Sequence, residues 1–133
     1  MANLNDLLTF YEQLETLGID SKGILPKQDN PPFIVDFDGN INFSGKNITD
    51  KDVDKIKFGK VTGDFECQNN KLTSLDFAPE FVGGNFNCSN NNINDFDNIP
   101  IKHVEGDFYA YGADPDKLSK LKGIVKGKIY PSH

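Results

Sequence analysis

No arginine and no tryptophan occur in the 133 residues, and cysteine and histidine are limited to Cys67, Cys88, His103 and His133. Without arginine the chain lacks the bidentate fork that grips phosphate. Its 14 basic groups are all lysines, outnumbered by 20 acids for a net charge of -6. That balance speaks against nucleic acid as a partner. Two cysteines cannot hold zinc alone, and no neighbouring histidine or cysteine pair completes a site. Neither histidine is spaced from a serine, cysteine or acid in a catalytic motif, which leaves an enzyme reading without residues to carry it. No apolar run approaches the roughly 18 residues of a membrane-spanning helix. The start, MANLNDLLTFYEQLETLG, has no basic segment and no small-residue cleavage site, so a soluble, cytoplasmic protein is expected. The triplet Asn47-Ile48-Thr49 is accordingly read as a chance match to a glycosylation acceptor.

What the sequence does contain is a repeat. Gly39, Gly63, Gly84, Gly106 and Gly127 are 24, 21, 22 and 21 residues apart. Apolar residues follow each at offsets of two and four: Ile41 and Phe43, Phe65 and Cys67, Phe86 and Cys88, Phe108 and Ala110, then Ile129 alone before Pro131. Alternate residues of a strand point to opposite faces, so these side chains enter a core while their neighbours face water. One unit cannot bury its own apolar face. Stacked units bury theirs together, giving an α+β chain with a parallel sheet on one side and loops or short helices on the other.

The best two units, GDFECQNNKLTSL and GNFNCSNNNINDF, continue the pattern through Asn70, Leu72 and Leu75 and through Asn91, Ile93 and Phe96. The run F-E-C-Q-N-N-K-L-T-S-L matches L-x-L-x-x-N-x-L-x-x-L, with Pro79 and Pro100 on the return path. Residues 37–130 therefore resemble the leucine-rich repeat family, and within it the short Phe/Cys-containing repeats of bacterial and bacteriophage proteins. The resemblance implies a short solenoid with a buried asparagine ladder. Lys46 and Ala113 stand at the asparagine position of the first and fourth units, which leaves Asn70 and Asn91 as rungs.

The flanks read as caps within a single domain of 1–133, with residues 1–36 forming the N-terminal cap and connector. Residues 3–18 place Leu4, Leu7, Leu8, Tyr11 and Leu14 at helical spacing, with Asn3 or Asn5 as the N-cap and Gly18 as the stop. PKQDNPP is a connector. FIVDFDGNINF reads as two strands joined in a hairpin at Asp38-Gly39, covering the N-terminal edge of the sheet. DPDKLSKLKG reads as a terminal helix that joins the last strand in a C-terminal cap.

Other chemistry is weaker. Asp50, Asp52 and Asp54 resemble the start of a calcium loop, but Lys55 and Val61 replace its glycine and glutamate, so Thr49 is read as the cap of a short helix. Val82-Gly83-Gly84-Asn85 is followed by a strand rather than a helix and is read as a turn. Adjacent parallel strands lie about 4.8 Å apart, wider than the roughly 3.8 Å between the β-carbons of a disulfide, so Cys67 and Cys88 are expected as free core thiols.

The outward positions are then Asn40, Asn42 and Ser44; Asp64, Glu66 and Gln68; Asn85, Asn87 and Ser89; Asp107, Tyr109 and Tyr111; and Lys128 and Tyr130. Tyrosine is enriched where interface energy concentrates. The expected function is non-enzymatic protein binding, as an adaptor or inhibitor, through Tyr109, Tyr111 and Tyr130 with Asp64, Glu66, Asp107 and Asn87 around them. The partner would carry apolar and basic surface, and no cofactor, metal, nucleic acid or membrane is called for. The absence of arginine beside abundant lysine and asparagine suits an AT-rich genome; a bacteriophage origin would make the target a host protein in the host cytoplasm. Two alternatives stand beside this: self-association through the final strand, guarded only by Pro131 and Ser132-His133, and carbohydrate stacking on the tyrosines. A third reading buries the tyrosines beneath the terminal helix.

Overall fold

The computed structural model describes residues 4–131; Asn3, one of the two expected N-caps, and Ser132-His133 lie outside the described residues. The first four repeats contribute two short strands each, one before the glycine and one after, and the fifth contributes one after it. β1 (Phe33–Phe37), β3 (Ile56–Val61), β5 (Phe81–Val82) and β7 (His103–Val104) precede the glycines. β2 (Ile41–Asn42), β4 (Phe65–Glu66), β6 (Phe86–Asn87), β8 (Phe108–Tyr109) and β9 (Ile129–Tyr130) follow them. The first set forms a parallel sheet in the order β1-β3-β5-β7 and the second a parallel sheet in the order β2-β4-β6-β8-β9. Neither closes into a barrel, and the chain is α+β.

Two sheets stand where the sequence suggested one. The missed signal is an apolar residue two positions before each glycine: Phe37, Val61, Val82, Val104 and Val125. The last four are buried, and Val125 bridges Val104. The expected hairpin at Asp38-Gly39 is absent. β1 and β2 lie in different sheets, each paired in parallel with the next repeat, Phe33 with Ile56 and Ile41 with Phe65. Bonds from the following repeat hold the bend open: Gly39 N–H donates to Thr62 Oγ1 at 2.8 Å, and Thr62 Oγ1 donates to Asp38 Oδ1 at 2.7 Å.

The later glycines are required by crowding. The N–H of Gly106 donates to the Gly84 carbonyl oxygen at 2.9 Å, and a β-carbon on Gly106 would lie 2.8 Å from that oxygen and run into Asn85 Oδ1. Gly106→Ala should therefore cost about 1–3 kcal/mol through strain. A urea midpoint equal to that of the parent would contradict this packing.

Asn70 and Asn91 do form the two rungs. Asn70 Oδ1 accepts from Lys46 N and Ile48 N at 3.0 and 2.9 Å, while Nδ2 donates to the Phe43 and Cys67 carbonyls at 3.0 and 3.1 Å. Asn91 repeats this with Leu72 N, 3.0 Å, and the Cys67 and Cys88 carbonyls, 3.0 and 3.2 Å. Cys67 and Cys88 are free, buried thiols whose removal from water pushes their pKa well up. Both should resist a thiol reagent in the native state and react once urea unfolds the chain. Native-state labelling at the rate of a free thiol would contradict their placement.

Helix α1 (Leu4–Thr16) ends as expected, with Gly18 at φ +83°. Its face is rotated from the expected one. Leu4 and Leu8 are 69% and 53% exposed, whereas Phe10, Gln13 and Leu14 are buried. Gln13 explains the roll, because its amide is fully engaged. Nε2 donates to the Lys51 carbonyl and Asp54 Oδ1 at 3.0 and 2.8 Å, and Oε1 accepts from Lys55 N at 3.0 Å. At the other end Asp114 accepts from Asp116 N, and a 3-10 helix (Pro115–Gly123) buries Leu118 and Leu121 in the core.

Candidate functional site

The outward row of the second sheet is in register. Asn42 pairs with Glu66, Glu66 with Asn87, Asn87 with Tyr109, and Tyr109 with Tyr130. Tyr109 lies between Phe108 and Ala110, which are 0% and 1% exposed, so its ring projects from the opposite face. Tyr109 and Tyr130 stack with centroids 4.8 Å apart at 9°. Tyr111 stands across both, 6.1 Å and 64° from Tyr109 and 6.4 Å and 60° from Tyr130. The three predicted tyrosines thus form one half-buried corner of rings. None of them belongs to the core cluster that includes Leu118 and Leu121.

The acids have a second job that the sequence reading missed. Asn40, Asp64, Asn85 and Asp107 each follow a repeat glycine. Their Oδ1 atoms accept the N–H of Asp64, Asn85, Asp107 and Lys128 respectively, each at 2.8 Å. Asp64 and Asp107 therefore bind successive repeats together as well as charging the face. Glu66 is less committed, meeting Gln68 Nε2 at 3.3 Å and Asn42 Nδ2 at 3.5 Å. Asn87 Oδ1 accepts from Ser89 N at 3.0 Å. Ser89, expected to face outward, is instead buried, its Oγ accepting from Tyr111 N at 3.0 Å. Partial burial, the Asp107 charge and the neighbouring phenols push the Tyr109 hydroxyl above its usual pKa.

The ladder loses one donor at β9. Cys67, Cys88 and Ala110 donate their N–H to Asn87, Tyr109 and Tyr130 carbonyls at 2.8, 2.9 and 2.9 Å. The next residue in that series is Pro131, which has no N–H. Lys128 likewise stands where the earlier repeats carry an accepting Asn or Asp.

The outward side of the first sheet was not foreseen. Lys60, Phe81 and His103 are in register there. Phe81 and His103 stack at 5.3 Å and 11°, with Lys60 Nζ 5.2 Å above the Phe81 ring. Glu105 joins His103 at 2.6 Å and Lys126 at 2.8 Å, and Lys126 foremost holds its carboxyl below the usual range. Its sequence signal is an aromatic or cationic residue three positions before the glycine. A separate cleft of about 380 Å³ is lined by Ile56, Phe77, Asp50, Asp54 and Asp76. Asp50 there takes Thr73 N–H at 3.0 Å and the Thr73 hydroxyl, Asp54 takes Gln13, and Asp52 takes Thr49 N–H at 2.9 Å, so the acids of the discarded calcium motif go to separate structural partners. Among the described residues, no group of three or more His, Cys, Asp and Glu could hold a metal ion. None of the described helices is long and apolar enough to cross a membrane. Compared with models of known protein families, with curated proteins and with solved structures, the chain gives no match.

Proposed function

We propose that the chain is a short leucine-rich-repeat-like solenoid, closed by α1 at one end and by the 3-10 helix and β9 at the other, and that it acts as a non-enzymatic protein-binding module. The observation that carries this is the corner of Tyr109, Tyr111 and Tyr130 on the outward face of the second sheet. Exposed aromatic patches mark recognition surfaces, and tyrosine supplies large, rigid contact area. Asp64, Glu66, Asp107 and Asn87 beside the rings suit a partner with mixed apolar and basic surface, adding on-rate and selectivity. An adaptor or inhibitor of a host protein in the host cytoplasm is the role that fits the resemblance to bacteriophage repeats.

Self-association through the last strand is disfavoured by Pro131 and Lys128, which remove a donor and an acceptor from that edge. Light scattering across a concentration series should show a monomer. Carbohydrate binding needs several polar groups converging on the rings; Asp107 and Asn87 each commit one side-chain oxygen to a backbone N–H, which leaves a sparse set. The test is a photo-crosslinking residue placed at Asn87 or at Lys102, outside the first sheet, in cells of the presumed host. Asn87 should link a defined protein and Lys102 none; linking from Lys102 alone would overturn the proposal.

A further inference from the structure

We propose that the tyrosine corner receives an arginine side chain of the partner, its guanidinium lying against the rings of Tyr130 and Tyr111 with Asp107 as the counter-charge. This rests on the reading of the second sheet as the binding face and specifies the chemistry it takes. Two rings stacked at 4.8 Å with a third inclined at about 60° to them make two walls of an aromatic angle. Tyr130 has Tyr109 on one side, and no strand follows β9 in the sheet among the described residues. A planar cation is the group that stacks on such a ring and is attracted to its face. Asp107 is two residues from Tyr109 on the same face; one of its oxygens is tied to Lys128 N at 2.8 Å, and its charge is felt at the Tyr109 hydroxyl. Asp64, Glu66 and Asp107 outnumber Lys128 on this surface and, with the chain's net charge of -6, complement a cation rather than an anion. The chain itself contains no arginine, so a second copy cannot be the occupant.

The full chain has no tryptophan and three of its four tyrosines form the corner, so in a Tyr11→Phe background tyrosine emission reports it directly. Titration with tetra-arginine, tetra-lysine and tetra-citrulline peptides should rank them in that order, with arginine ahead of lysine by roughly threefold to tenfold. Asp107→Asn keeps the oxygen that accepts Lys128 N and removes only the charge, as Asn40 and Asn85 do naturally. It and Tyr130→Leu should each weaken the arginine peptide by a similar factor with unchanged melting temperatures. Equal binding of lysine or citrulline, or indifference to both variants, would overturn the proposal. A displayed peptide library, selected on the parent and counter-selected on a Tyr109→Ser/Tyr111→Ser variant, separates the binding face from the guanidinium it receives. Arginine-bearing survivors support both. Survivors without arginine overturn the guanidinium alone, and no survivors overturn the binding face with it.

Discussion

Replacing Tyr109 and Tyr111 together by alanine should abolish capture of the partner while moving the melting temperature by only a few degrees. Both rings lie on the outward side of the second sheet, and the buried Phe108 and Ala110 that anchor the same segment are untouched. A tyrosine that serves as a hot spot is worth about 30-fold or more in affinity, so losing two should cost on the order of a thousandfold. The fold loses only ring stacking among partly exposed tyrosines, a small term beside core burial. Retained capture would sink the assignment, and so would a loss of capture that simply tracks unfolding.

The same row of the sheet, read from its inner side, yields the opposite expectation. Phe65→Ala should severely destabilise the chain. The ring is fully buried and meets Phe58 at 5.2 Å, Phe86 at 5.4 Å and 4°, Phe43 at 5.7 Å and Phe77 at 6.1 Å. Truncating a core phenylalanine costs about 3–5 kcal/mol from a total of about 5–15 kcal/mol for a domain. Four neighbouring rings cannot all collapse into the space, which places the cost toward the upper end. The urea midpoint should fall sharply or the cooperative transition vanish; a midpoint equal to the parent's would mean that Phe65 does not face inward.

The parts of this arrangement that the sequence disclosed are those with a period. Gly39 through Gly127 set the register, the residues two and four positions later proved to be inward, and Asn70 and Asn91 bond as the repeat implied. The first sheet escaped because β5 and β7 are two residues long, too short to show alternation, and one valine per repeat carries their burial. The hairpin was a local inference from Asp38-Gly39, defeated by Thr62, a residue one repeat away whose hydroxyl bonds both. A similar distance hid Gln13, a polar residue in a helical stripe whose three partners lie some 40 positions on. The tyrosine corner was legible because its three members stand three or five positions after their glycines, odd offsets that face outward. The structural duty of Asp64 and Asp107 was not, since an acid facing outward from a strand looks the same whether or not it caps the next backbone N–H.

The most direct test of binding at the tyrosine end of the second sheet is amide chemical-shift mapping of the labelled chain as the captured partner is added. The account predicts perturbations concentrated at Asn87, Asp107, Tyr109, Tyr111 and Tyr130, with Phe81 and His103 unaffected. Shifts confined to the Phe81–His103 face, or to the acidic cleft around Asp54 and Phe77, would contradict it.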